Sequence, residues 1–272
     1  MNEASRTDFL DVAVGAARDA GDLLIKEFER PQQLSYKGEV DIVTEADRKS
    51  EALIVGQLRS RFLSHAILGE EGGATGVGGA TYQWLVDPLD GTTNFAHGFP
   101  VFAVSIGLLE NHEPLIGAIY NPVTREMFTA IKGEGAYREQ KRIHVSKVAT
   151  LSKSLLATGF PSHKRTQNPN IHYYWEFTLK SHGVRRAGSA ALDLCSVACG
   201  QFDGFWEFGL KPWDTGAGML IVREAGGTVS DFSGRPYQPG DPVLLASNGL
   251  IHEEMKALAV EIRNRGGGGH LE

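Results

Sequence analysis

Cysteine is scarce in this 272-residue chain: there are two, Cys195 and Cys199, in LDLCSVACG. Their i,i+4 spacing on a helix suits no disulfide, and two thiols cannot close a zinc site, so they read as small buried hydrophobes in a reducing compartment. An excess of positive charge is lacking too. Lys and Arg number 27 against 33 Asp and Glu, giving a formal net charge of -6, so no basic stripe is on offer to nucleic acid or an anionic membrane. No apolar run approaches the roughly 18 residues of a membrane span, and MNEASRTDFL has no basic segment ahead of an apolar core. A cytoplasmic protein with small soluble partners is expected. There is no internal repeat. What is present, 42% hydrophobic and 22% charged residues, supports one large core or two fused smaller ones.

Apolar residues from Phe9 to Phe28 follow a helical period that Pro31 closes, and a second helix is expected from just after Thr44 to about Phe62. Between them QLSYKGEVDIV is extended. The strand AILGEE, a Gly-rich stretch from Gly72 to Ala80 and the strand YQWLV follow. The Gly-rich stretch lacks the Lys-Ser/Thr of a P-loop and reads as a mobile flap. Val101 to Val145 alternates β-rich runs with Asn, Gly and Pro turns, an antiparallel meander. Beyond about Lys147 strands alternate with helices, which places a boundary there between an α+β half (1–147) and an α/β half (148–272). The tail GGGGHLE is expected to be disordered.

Six acids stand at strand ends or helix starts: Asp47, Glu70, Glu71, Asp87, Asp90 and Asp214. Several have a bland reading. Asp47 closes a capping box with Thr44, while Asp90 and Asp214 sit where an N-cap would. Asp87 has no such reading. It lies between Val86 and a Pro-bearing turn, three residues from Asp90, where two like charges repel unless a cation lies between them. Carboxylate and carbonyl oxygens suit a hard cation such as Mg²⁺, which phosphate oxygens commonly help to ligate. In DPLDGTT the amides of Gly91 and Thr92 open a helix, an anion site beside the metal. Aligning Asp90-Gly91-Thr92 with the D-x-D-G-T of haloacid-dehalogenase-like phosphatases puts Pro88 at the nucleophile position, and no Cys-x5-Arg loop exists. A water activated by the cation is the simplest nucleophile.

EVDIVTEAD (39–47), LGEEG (68–72), WLVDPLDGTTNFAHGFP (84–100) and KPWDTGAGMLIVREAGG (211–227), in this order, resemble the inositol monophosphatase family over nearly the whole chain. The resemblance implies a layered αβαβα sandwich of the sugar-phosphatase type, lithium-sensitive Mg²⁺-dependent phosphomonoesterase activity, and a homodimer. It implies that Glu70, Asp87 and the Leu89 carbonyl hold one metal, and that Asp87, Asp90 and Asp214 hold a second. Thr92 and Asp47, with Glu70, would orient the water, and Gly91 and Thr92 would bind phosphate. Gly188, Ser189, Ala190 and Glu207 match polyol contacts. Glu207 has a bland alternative, pairing with Lys211, and Arg185 and Arg186 read either as site cations or as a solvated edge pair. His97 reads as structural.

Myo-inositol 1-phosphate is the expected substrate, because DGTTNFAHG resembles the inositol branch more than the histidinol-phosphatase branch. Fructose-1,6-bisphosphatase, histidinol-phosphatase or 3'-phosphoadenosine phosphatase activity on the same metal site is the alternative, as is a relative with a regulatory binding role. Phosphate release from a panel of monoesters discriminates among them.

Overall fold

Ser5 opens the first helix. Its hydroxyl accepts the Asp8 amide and the Asp8 carboxylate accepts the Ser5 amide, a reciprocal box that starts α1 (Arg6–Phe28). The computed structural model of the chain describes residues 5–30, 34–36, 42–76, 79–160 and 168–267. Pro31 and the central part of QLSYKGEVDIV lie outside them, as does the tail beyond Gly267. β1 (Leu34–Tyr36) and β2 (Ile42–Thr44) pair antiparallel, and Thr44 caps α2 (Glu45–Arg61) with Asp47 at the third helical position. Both helices match their expected spans.

The first sheet has eight strands: β3 (Ala66–Gly69), β4 (Gly73–Thr75), β5 (Tyr82–Asp90), β6 (Ala103–Glu110), β7 (Glu113–Asn121), β8 (Glu126–Ile131), β9 (Gly135–Arg138) and β10 (Lys141–Arg142). Its order is β10-β9-β8-β7-β6-β5-β3-β4. From β6 to β10 it is the expected antiparallel meander; β5 extends it antiparallel to β6, and β3 joins β5 in parallel. A short helix, α3 (Thr92–Ala96), fills the turn after β5. The Gly-rich stretch departs from expectation: Gly73–Thr75 is not flap but edge strand, paired antiparallel with Ile67–Gly69. Residues 77 and 78 of that stretch lie outside the described residues.

The second sheet has five strands, β11 (Leu155–Thr158), β12 (Gly183–Arg185), β13 (Gly204–Phe208), β14 (Thr228–Ser230) and β15 (Val243–Ser247), in the order β12-β11-β13-β15-β14. β11 is parallel to both neighbours, and the pairs β13-β15 and β14-β15 are antiparallel. The remaining helices are α4 (Asn170–Lys180), α5 (Ala190–Ala198), α6 (Pro212–Glu224) and α7 (His252–Ile262). Periodicity alone did not reveal α4. It buries Tyr173 and Phe177 on one face and carries exposed Ile171, Trp175 and Leu179 on another, so its apolar residues have no single stripe.

The helices and sheets stack as αβαβα. α1 and α2 cover one face of the eight-stranded sheet, α5 and α6 fill the space between the sheets, and α4 and α7 cover the far face of the five-stranded one. α6 lies unusually close to the first sheet. Gly107 and Gly117 are partners across β6 and β7, and a Cβ on either would come within 3.0 Å and 2.8 Å of the Ala217 backbone. This contact brings the first turn of α6 beside the end of β5.

Candidate active site

β5 carries two carboxylates, Asp87 and Asp90. In a regular strand residues three apart point to opposite faces. Here the partners of Asp87 and Asp90 are Ser105 and Ala103, so a three-residue step on β5 answers a two-residue step on β6. The extra residue is a bulge at Pro88-Leu89, and both carboxylates reach the same cavity. Pro88 has no amide to lose from the ladder, and its carbonyl accepts the Ser50 hydroxyl at 2.8 Å. Asp87 is 2% exposed and accepts the Leu89 amide at 3.0 Å. Burial, then repulsion by Glu70, Asp90 and Asp214, holds its carboxyl well above the usual carboxylate range.

One face of α2 anchors the surrounding segments. Asp47, Ser50 and Glu51 stand at i, i+3 and i+4, one above the other. Asp47 accepts the Thr44 amide (2.8 Å) and hydroxyl (2.6 Å) on Oδ2, and the Thr92 hydroxyl (3.0 Å) on Oδ1. The capping box is real and occupies one oxygen of the carboxylate. Burial raises the Asp47 carboxyl, while the bonds from Thr44 and Thr92 oppose that rise. Glu51 is buried, with its two oxygens on the amides of Glu71 (2.8 Å) and Gly72 (2.6 Å). The Glu70 amide is tied to the Val86 carbonyl at 3.2 Å. A single helix face therefore fixes the segments bearing Glu70, Asp87 and Thr92. Sequence reasoning missed Ser50 and Glu51; their spacing from Asp47 was the available signal.

Asp90 does not cap the helix after it. Gly91 takes that position at φ 95°, a backbone state that favours glycine, and a Cβ there would lie 2.9 Å from the Val101 carbonyl. The Asp90 carboxylate instead crosses to the second half of the chain, accepting the Ser189 hydroxyl and, at 2.8 Å, the Ala191 amide at the start of α5. Burial raises its carboxyl and these bonds partly offset the rise. Asn94 adds a second tie, donating to the carbonyls of Val101 (2.8 Å) and Ala187 (2.9 Å). Asp214 is likewise not an N-cap. Lys211 holds that place, and Asp214, three residues on, accepts the Lys211 amide at 2.7 Å. Burial raises Asp214 well above its ordinary range, with the Lys211 amide opposing and Asp90 and Glu70 adding to it.

These groups surround a cavity of about 430 Å³, within the usual size range for a small-molecule site. Every residue expected to bind metal, phosphate or polyol lines it; Asp47 reaches it through Thr92. Arg186 also lines it, whereas Arg185 and His97 do not. The bland pairing of Glu207 with Lys211 is not seen among the described residues. A further acid of the wall, Asp193, was not anticipated. It reads in sequence as a solvated helical acid, although SAALDLCSVA around it is otherwise apolar but for Ser189 and Ser196.

The oxygen donors, carboxylates and the Leu89 carbonyl, suit a hard divalent cation. Among the described residues no three His, Cys, Asp or Glu side chains are placed to hold a metal ion by themselves.

Five stacked layers with an acid-lined cavity drawing on both sheets define the class: a fold of the sugar-phosphatase type. The chain belongs to the inositol monophosphatase family, a phosphatase enzyme family whose model matches residues 5–265. An inositol-1-monophosphatase from Synechocystis is 46% identical over 92% of this chain and 88% of its own length. A protein named Nus factor SuhB from Pseudomonas aeruginosa is 47% identical over 83% of this chain and 86% of its own. The solved structure of an inositol monophosphatase from Anabaena superposes with a TM-score of 0.86 at 43% identity, covering 94% of this chain and 96% of that one.

Proposed function

We propose that the chain is a Mg²⁺-dependent phosphomonoesterase that hydrolyses myo-inositol 1-phosphate and related monoesters to the free polyol and phosphate. The observation that carries this reading is the gathering of Glu70, Asp87, Asp90 and Asp214 around one cavity, with the Leu89 carbonyl and Thr92 on the same wall. Glu70, Asp87 and Leu89 would hold one cation, and Asp87, Asp90 and Asp214 a second. When bound, Mg²⁺ supplies Lewis acidity toward phosphate, lowers the pKa of water and stabilises the departing alkoxide.

The protein's own part is orientation and proton transfer. The Thr92 hydroxyl has one proton and two acceptors at 3.0 Å, Asp47 Oδ1 and the Leu89 carbonyl. Donating to Asp47 leaves its lone pairs free to accept from the attacking water, so Thr92 passes the water's proton toward Asp47 while Glu70 orients the same water. No side chain caps the first amides of α3, which leaves Gly91 and Thr92 to receive phosphate oxygens. Gly188, Ser189, Ala190 and Glu207 contact the polyol.

The chain works in the cytoplasm as a homodimer. In support, no described helix is long and apolar enough to cross a membrane, and Ile171, Trp175 and Leu179 form an exposed apolar stripe along α4. Lithium inhibits by taking the second cation position. A regulatory role such as the Nus factor name implies for relatives is a second activity beside catalysis, since the catalytic positions are intact. Phosphate release from inositol 1-phosphate, fructose 1,6-bisphosphate, histidinol phosphate and 3'-phosphoadenosine, with and without Mg²⁺, tests the reading. Preference for inositol 1-phosphate supports it; preference for a bisphosphate or nucleotide overturns the substrate assignment.

A further inference from the structure

Two acids of the cavity wall, Glu207 and Asp193, accept no hydrogen bond and make no ion pair among the described residues. Asp193 is the more constrained. It is 2% exposed, stands one turn into α5 behind the Ser189 cap, and its neighbours one turn away on the helix are Ser189, Ala190, Ser196 and Val197. A carboxylate taken out of water without a partner is costly, and such groups survive where something else satisfies them. Among the described residues Asp193 closes no cap and bridges no elements. It faces the cavity together with Glu207, whose ionisation its charge disfavours, and the two share the neighbours Asp90 and Arg186.

The charges of the wall say what fits there. Besides the four acids assigned to cations, the described residues of the wall include Asp193 and Glu207 against Arg186 and Lys211. Among these four the signs are equal in number, but depth is not. Arg186 and Lys211 are exposed and screened by solvent, whereas Asp193, at the cavity wall, is largely withdrawn from it, where its field is stronger. A leaving group rich in hydroxyls gives both carboxylates the donors they lack. One carrying a second phosphate or a carboxylate meets repulsion.

We propose that Asp193 is a specificity residue, accepting a hydroxyl of the leaving polyol beside Glu207 and rejecting leaving groups that carry a second anionic group. This rests on the phosphatase reading above and deepens its substrate class. Hydrolysis transfers the phosphoryl group to water in either case; Asp193 acts on which alcohol is accepted.

The test is Asp193→Asn, which keeps shape and removes charge. The ratio of kcat/KM on inositol 1-phosphate to that on p-nitrophenyl phosphate, which has no hydroxyls, is expected to fall about tenfold or more. Turnover of fructose 1,6-bisphosphate relative to inositol 1-phosphate is expected to rise. Thermal unfolding supplies a readout independent of turnover. Removing an unpartnered buried charge leaves Tm unchanged or raised, whereas a structural carboxylate lowers it. An unchanged substrate ratio, an equal fall on both monoesters, or a lowered Tm overturns the proposal. Should Asn fail to fold, Asp193→Ser carries the same measurements. If the wild type does not prefer inositol 1-phosphate, the substrate reading fails by itself. The bisphosphate-to-monophosphate comparison then still decides on Asp193, a rise supporting charge exclusion and no change overturning it.

Discussion

Asp47 holds Thr92 with one carboxylate oxygen while its other oxygen caps α2: the Thr92 hydroxyl lies 3.0 Å from Oδ1, and the Thr44 amide lies 2.8 Å from Oδ2. Structural and chemical roles are thus divided between two atoms of one side chain. Asp47→Asn retains the capping geometry and is expected to shift unfolding by no more than about 1 kcal/mol. It removes the proton acceptor behind Thr92, so kcat is expected to fall about 100-fold or more. Parallel urea unfolding and steady-state kinetics check this, and wild-type kcat in the variant would contradict the role.

Glu51 acts one step further back. Its two oxygens hold the Glu71 and Gly72 amides at 2.8 Å and 2.6 Å, directly after Glu70. Glu51→Gln turns a donor toward one of those amides and is expected to displace the turn. The expected signature is weaker Mg²⁺ binding by calorimetry, by about tenfold, since charge-assisted bonds contribute about 1.5–3 kcal/mol each. Glu51→Asp, which keeps the charge, should recover part of that affinity. A calorimetric constant equal to wild type would show that the turn holds without Glu51.

Local features of the site were legible in the sequence and distant ones were not. TEAD announces its box because Thr44 and Asp47 are three residues apart. DPLDGTT announces carboxylates at a strand end, but not the bulge that turns Asp87 and Asp90 the same way, because the bulge is defined by the partner strand β6. The bond from Ser189 to Asp90 joins two halves of the chain, so the N-cap reading of Asp90 failed where a tertiary partner outbid a local one. α4 was not read from the sequence, and its apolar stripe Ile171, Trp175 and Leu179 turns out to face solvent, with Tyr173 and Phe177 buried on another face. Asp193 is acidic in a helix, and burial alone distinguishes it from a solvated residue.

His252, at 4% exposure, sits between two hydroxyls, Ser230 Oγ 2.8 Å from Nε2 and Ser247 Oγ 2.8 Å from Nδ1. Ser230 also donates to the Asp231 carbonyl at 2.6 Å, which makes it the acceptor of a proton on Nε2 and Ser247 the donor to Nδ1. Burial, helped by Lys256, depresses the imidazole from 6.5 to about 4. The unfolded chain therefore binds more protons between these values, and stability falls as pH drops from about 6.5 through about 4, by up to about 3 kcal/mol. Urea midpoints at pH 7 and pH 4.5 should separate more for wild type than for His252→Gln. Equal separations would remove His252 from the acid response.

The α4 stripe, with Ile171 55%, Trp175 65% and Leu179 64% exposed, supports the homodimer reading. Trp175→Glu places a charge in the middle of that stripe and is expected to give a monomer in sedimentation velocity where the wild type gives a dimer. A monomeric wild type, or a variant still dimeric, would remove α4 from the interface.

Asp87 stands at the centre of the account, buried among Glu70, Asp90 and Asp214 and shared between both proposed cation positions. The most direct measurement is phosphate release from inositol 1-phosphate across a Mg²⁺ titration, for wild type and for Asp87→Asn of equal Tm. Saturable, chelator-sensitive release by the wild type and none by the variant is the expected result. Release that persists in chelator, or an Asp87→Asn enzyme as active as wild type, would contradict metal-assisted hydrolysis at this cavity.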